Sequence, residues 1–339
     1  MTIDFKDFFD YLIINSPPVY SIDGCIAAAF FDDDDGDFKT KESIIERFRA
    51  CVYLCGEEEL AFLQLAADLN EKKEAWKENV ETHPFRVFAF SYFVYLFSDD
   101  DNLYLVLPDE LAEIYRRIIS EENFAQVNLR NRELCDYAAA LCNLYGAYET
   151  EQFAAVWNRH QKDKITIEEA NTFLYDRSCF NSDYYIYDDF VVHDCLFADD
   201  FEELYEEVAD IEYYMPSKSV IKAYSTKGYD DSLIVGQKEM DGFLAEYIEN
   251  ERILDDLQLM IAMSCERLET PEYISDMLTG AGVPISNTDF REKFERLYNT
   301  LRDNTHIWEL RGFTPHQYKT ATGKTLVRFA LPKIKQKKK

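Results

Sequence analysis

The sequence predicts a mainly α, multi-helical protein with a small winged-helix-like α+β portion, and three observations carry that prediction. Apolar residues recur at three- and four-residue spacing along most of the chain. Two short β-prone runs flank a polar break at residues 98–102. A further pair of aromatic, β-prone runs interrupts the helical pattern between Phe180 and Phe197. With 339 residues, 47% of them hydrophobic, 25 Phe and 23 Tyr, the chain has ample apolar surface to offset the entropy of ordering, which excludes a disordered class.

From the N-terminus, Phe5, Phe8, Phe9, Leu12 and Ile13 have helical spacing over residues 4–15, and Pro17-Pro18 ends that run. The acidic stretch Asp32 to Asp37 resembles a calcium loop, with Gly36 at the sixth position and Asp33, Asp35 and Glu42 at the third, fifth and twelfth. The first ligand position is Phe31, which has no side-chain oxygen, so the loop reads as a solvated acidic segment. Ser43 to Cys55 and Glu57 to Asp68 then read as two packed helices. Cys51 and Cys55 lie one turn apart, but zinc needs further Cys or His ligands that are not near in sequence.

An aromatic run from Phe85 to Phe97, the break Ser98-Asp99-Asp100-Asp101-Asn102 and the run Leu103 to Leu107 predict a β-hairpin. Helices followed by a hairpin outline a winged helix over residues 39–120. A winged helix that reads DNA needs basic residues at its wing, and this tip carries Asp99, Asp100 and Asp101, which points to protein contact instead. Pro108-Asp109-Glu110 starts a helix, since acids in the first turn complement its dipole. Helices follow over Arg132 to Leu144, with Gly146 as C-cap, over Glu149 to His160 and over Thr166 to Tyr175. After the β-prone runs Tyr184 to Tyr187 and Phe190 to His193, helix returns at 199–224 with a boundary at Pro216. Gln237 to Ile248, Glu251 to Cys265, Pro271 to Leu278 and a helix capped by Thr288 complete the pattern. The organisation read from this is an N-terminal helix and acidic loop (1–38), the winged-helix-like portion (39–120), a helical region (121–178), a second helical domain (179–318) and a basic tail (319–339).

Four segments resemble an uncharacterised family of Gram-positive bacterial proteins that often end in a small zinc motif like that closing the SecA translocase subunit. They are Val106 to Leu111, Leu144 through Trp157 to Glu169, Tyr213 to Lys218, and Asn304 to Pro315. The resemblance covers roughly residues 40–318 and implies no established activity. The Cys-rich terminal motif is absent here and a Lys-rich tail stands in its place, so no zinc is expected on that ground. Within the fourth segment Asn304 and Thr305 are capping types, and Trp308 and Arg311 sit one turn apart before Gly312. A Trp and an Arg are binding hot-spot types, and equally suited to locking a terminal helix onto its own domain.

The search for chemistry finds no enzyme site. Gly323-Lys324-Thr325 imitates the end of a phosphate loop, but Tyr318 stands where the earlier glycine belongs. His193-Asp194-Cys195 offers a nucleophile and a base, yet adjacent strand residues alternate faces and no orienting group is identifiable. His160 and His306 follow helical patterns, and His83 precedes a proline.

Charge is the dominant global signal. Asp and Glu number 65 against 36 Lys and Arg, for a net −29; the tail from Lys319 onward holds eight bases and no acid, which leaves −37 on residues 1–318. Such a surface repels nucleic acid and anionic lipid and attracts basic partners. The expectation is a non-catalytic binding or adaptor protein for a partner with a basic surface, in its sharper form an inhibitor that mimics nucleic acid, with no cofactor. The rival is a regulatory nucleic-acid binder using the winged-helix-like portion and the tail lysines Lys335, Lys337 and Lys338. Eight cysteines without a disulfide spacing, the absence of a leader pattern and the lack of a run of roughly 20 apolar residues point to a cytoplasmic, non-membrane protein.

Overall fold

A computed structural model describes residues 12–29, 40–76, 88–89, 91–99, 102–179, 183–197, 201–202, 204–205, 208, 210–225 and 235–332. Thirteen α-helices and two three-stranded sheets are found among them, which is the mainly α class with a small α+β portion. Two compact units divide the chain: residues 1–135 with 171–182, and residues 136–170 with 183–339.

The first unit opens with β1 (Ile13–Ile14) and α1 (Ile22–Ala28), whose Ser21 cap accepts from Gly24 N–H. The helix expected over residues 4–15 is corrected at its end: Ile13 and Ile14 pair in parallel with Leu96 and Phe97. Two β-branched residues beside a strand of the hairpin gain backbone partners there, and Pro17-Pro18 would have cut off a helix within a turn. Helices α2 (Lys41–Leu54) and α3 (Glu57–Lys72) follow, the latter with three glutamates in its first turn and Glu59 accepting from Gly56 N–H. The hairpin consists of β2 (Tyr95–Asp99) and β3 (Asn102–Val106), in register from Tyr95↔Val106 to Asp99↔Asn102. Helix α4 (Asp109–Ile119) begins after Pro108. Its Glu110 accepts from Ile22 N–H and Lys41 Nζ, tying α4 to the starts of α1 and α2. Phe48, Phe93, Phe62 and Phe88 fill the core between these elements.

Helix α5 (Phe124–Tyr145) starts in the first unit, eight residues before the expected Arg132, and continues into the second. Near its start Asn128 donates to Tyr53 O and Cys55 O at the end of α2, and Phe124 packs on the Tyr53 ring, so contacts with the end of α2 support that first stretch.

In the second unit β4 (Ala147–Glu149), β6 (Phe190–His193) and β5 (Tyr184–Tyr187) form a sheet in the order β4-β6-β5, antiparallel throughout. Helix α6 (Thr150–His160) leaves β4 directly, and α7 (Ile167–Ser178) begins here and ends in the first unit. Helix α8 (Lys218–Ser225) precedes a bundle of α9 (Gln237–Ala245), α10 (Glu251–Glu266), α11 (Pro271–Gly280) and α12 (Thr288–Asn304) around Met240, Phe243, Ile261, Phe290 and Phe294. The cap of α12 is Asn287, not Thr288: its side chain accepts from Asp289 and Phe290 N–H. A 3-10 turn (Trp308–Leu310) and α13 (Pro315–Thr322) are the last helical elements among the described residues. Gly323 caps the C-terminus of α13 at φ 73°, the wrong end of a helix for a phosphate loop.

Residues 327–332 are held by side chains of α12. Asn299 donates to Phe329 O and accepts from Phe329 N–H, Arg302 donates to Val327 O at 2.7 Å, Glu295 accepts from Leu331 N–H, and Arg291 donates to Leu331 O and Pro332 O. Phe329 and Leu331 are thereby buried, so the basic tail is docked as far as Pro332. Among the described residues no helix is long and apolar enough to cross a membrane.

Candidate functional site

The residues expected to make contacts are placed very differently. Asp99 closes the described part of the hairpin opposite Asn102 and is half-buried; Asp100 and Asp101 lie outside the described residues, as do Asp33, Asp35, Lys335, Lys337 and Lys338. Glu42 sits in the first turn of α2. Trp308 and Arg311 are only 4% and 7% exposed, so both are packed into their own unit. The single helical turn expected around them is a 3-10 turn ended by two left-handed residues, Arg311 at φ 46° and Gly312 at φ 79°. Gly312 permits that turn, and its missing Cβ also leaves room for the Tyr145 ring, which an added Cβ would approach to 2.5 Å.

The Asn304–Pro315 segment is built onto the second sheet. The Trp308 indole donates to Asn143 O at 2.9 Å and lies over Gly146, whose left-handed backbone (φ 70°) makes the turn from α5 into β4. Arg311 stacks over Tyr213 at 4.3 Å and comes within 3.7 Å of Glu149 on β4. His306, half-buried and pushed down in pKa by desolvation, lies 2.5 Å from Gly312 O through Nδ1 and packs on Tyr214.

Trp308 also packs against His193, ring centroids 5.3 Å apart, and this brings into view a constellation the sequence argues against. Strand β6 ends at His193, and a turn closed by Leu196 N–H to His193 O (3.0 Å) carries Asp194 and Cys195. Face alternation holds only along an extended strand; in this turn His193, Asp194 and Cys195 converge, with potential ligand atoms all within 4.8 Å of one another. The orienting group is also present: Asn143 Oδ1 lies 3.2 Å from His193 Nε2. It is fifty residues away along the chain, so no local spacing signals it. His193 is pushed down in pKa mainly by burial, and burial likewise pushes the Cys195 thiol up. Asp194 is exposed.

Cys51 and Cys55, a thiol pair in the first unit, are 3.8 Å apart and buried, and the Cys55 thiol is pushed up by its hydrogen bond to Cys51 and by burial.

A different surface faces water on the bundle of the second unit. Along α10 the exposed positions are Glu251, Arg252, Ile253, Asp255, Asp256, Leu259 and Met260. Ile253, Asp256 and Met260 form one helical stripe and Arg252, Asp255 and Leu259 the next. On α11, Glu272, Tyr273 and Asp276 are exposed as well.

No protein-family model, curated protein or solved structure matches the chain, so its residues alone carry the functional reading.

Proposed function

We propose that the protein is a non-catalytic binding protein whose acidic surface engages a macromolecular partner with a basic surface. The observation that carries this reading is the charge of −37 on residues 1–318. A field of that sign accelerates encounter with cationic surfaces and repels phosphate backbones. The mixed character of α10 supports the same reading: exposed Ile253, Leu259 and Met260 interleave with Asp255 and Asp256, so an amphipathic basic segment of a partner would find apolar contact and counter-charges on one helix face. In its sharper form the carboxylates stand in for nucleic-acid phosphates.

Affinity capture with the full chain, followed by identification of the bound proteins, tests this. Specific partners with basic surfaces, released by raised salt and lost with the double variant Asp255→Lys, Asp256→Lys, are the expected result. Partners that are all acidic or neutral overturn the proposal. For the mimic, DNA or RNA should compete for the captured protein at low salt; absence of competition removes that form.

A further inference from the structure

The geometry points to a metal site outside the surface just described: we propose that the turn His193-Asp194-Cys195 binds a divalent transition-metal ion of the zinc class through His193 Nδ1, an Asp194 carboxylate oxygen and Cys195 Sγ.

The argument begins with the protons of the imidazole. Asn143 Nδ2 donates to Tyr224 O at 2.8 Å, which turns Asn143 Oδ1 toward His193 Nε2, 3.2 Å away. An amide oxygen only accepts, so Nε2 carries a hydrogen, and in the neutral ring Nδ1 is an acceptor, reached from 3.2 Å by Cys195 N–H. Asp194 Oδ1 lies 2.9 Å from that Nδ1. Two acceptor atoms at this separation need a cation between them, either a proton or a metal ion. The thiol of Cys195 in the same cluster favours the metal, because a proton shared by His and Asp has no use for a third, soft ligand. Nitrogen, carboxylate oxygen and sulfur are together the donor set of zinc, and the exposed Asp194 side leaves a fourth position to water.

The supporting groups are those a metal-binding imidazole requires. The ring's second nitrogen is held by Asn143, whose backbone oxygen in turn receives the Trp308 indole N–H. The turn is fixed by His193 N–H to Gly146 O (2.8 Å), Asp194 N–H to Asp183 O (3.2 Å) and Tyr185 OH to Leu196 O (2.9 Å). Cys195 N–H currently points at Nδ1 from 3.2 Å, and the ion takes over that lone pair. On binding, the Cys195 S–H bond is exchanged for a sulfur–metal bond and the proton leaves to solvent, so uptake strengthens as pH rises. A thiol–imidazole nucleophile is the other use of these groups, and the carboxylate against Nδ1 obstructs it.

Titration of the full chain with Co2+ provides the test, with near-ultraviolet thiolate-to-cobalt absorption as the readout. One equivalent should bind, be displaced by Zn2+, and release protons. Cys195→Ser should abolish the band, whereas Cys179→Ser, at an exposed thiol elsewhere, should leave it unchanged. Asp194→Asn, at an exposed position that leaves the fold intact, should weaken binding by about tenfold or more, and Asn143→Ala should do so by about 10–100-fold while retaining the band. A band that survives Cys195→Ser, or no band at all in the folded wild type, overturns the proposal. So does a His193 ring that NMR shows doubly protonated at neutral pH and unaffected by Zn2+, which assigns the cation to a proton.

Discussion

Two places in this molecule bring cysteine together with other metal-competent groups, and they end in opposite environments. In the first unit Cys51 and Cys55 meet because residues four apart share a helix face, and that same face is the one buried against the core, so both thiols are sealed off in the interior. In the second unit His193, Asp194 and Cys195 are consecutive, and a turn at the end of β6 gathers them at the edge of the fold, with Asp194 in water. Periodicity along a helix brings like residues together in the interior; a turn brings unlike residues together at the surface. Only the second arrangement leaves an ion a route in and a water position beside it.

The largest expected way to break this contrast is Gly146→Ala. The left-handed backbone there and an added Cβ 2.5 Å from the Trp308 ring should together cost on the order of 3 kcal/mol in chemical denaturation and disturb Asn143 and His193. Gly323→Ala, at a similar φ of 73° with nothing within 4 Å, should cost only about 1 kcal/mol.

Acidification should separate the units next. His160 and His306 in the second unit both have pKa values pushed down by burial. Their neutral forms are the ones the fold accommodates, so stability is full above the unfolded value of about 6.5 and falls as pH drops from there toward the depressed folded values. The described residues of the first unit contain no histidine. Melting followed by hydrogen exchange should therefore show the second unit loosening between pH 7 and 5, and His306→Gln should lessen that loss.

A smaller effect sharpens the contrast between the thiols. Cys55→Ala should cost about 1 kcal/mol of stability and leave cobalt absorption intact, whereas Cys195→Ser should change stability by less than about 0.5 kcal/mol and remove the absorption. Smallest in stability is the double variant Asp255→Asn, Asp256→Asn on α10, within about 0.5 kcal/mol by thermal unfolding, though capture of a basic partner should weaken and lose part of its salt dependence.

Much of the fold is legible along the chain. The hairpin, β5 and β6, and the helices α2, α3, α4, α6, α9, α10 and α11 follow the expected runs within a few residues, because each is amphipathic or bounded by Pro, Gly or an acidic first turn. The misreadings share a cause. Ile13-Ile14 carries the apolar spacing of a helix but pairs with β2, a partner more than eighty residues away. The first stretch of α5 is supported by Asn128 reaching the end of α2, which no apolar stripe announces. Beside these misreadings, the docking of residues 327–332 is a point on which the sequence is silent: it rests on Arg291, Glu295, Asn299 and Arg302, whose spacing along one face of α12 reads in isolation as an ordinary solvated helix surface.

By itself the amino-acid sequence determines the helical class, the two β-bearing regions and a net charge of −29, since these depend on periodicity, turn chemistry and composition, all of which are local or additive. Tertiary structure alone decides that Trp308 and Arg311 face inward, that residues 327–332 lie along α12, and that Asn143 meets His193 beside Asp194 and Cys195. Those outcomes rest on hydrogen bonds and ring contacts between residues far apart in the chain, and such pairings follow from where the backbone brings its ends together rather than from any spacing within a single element.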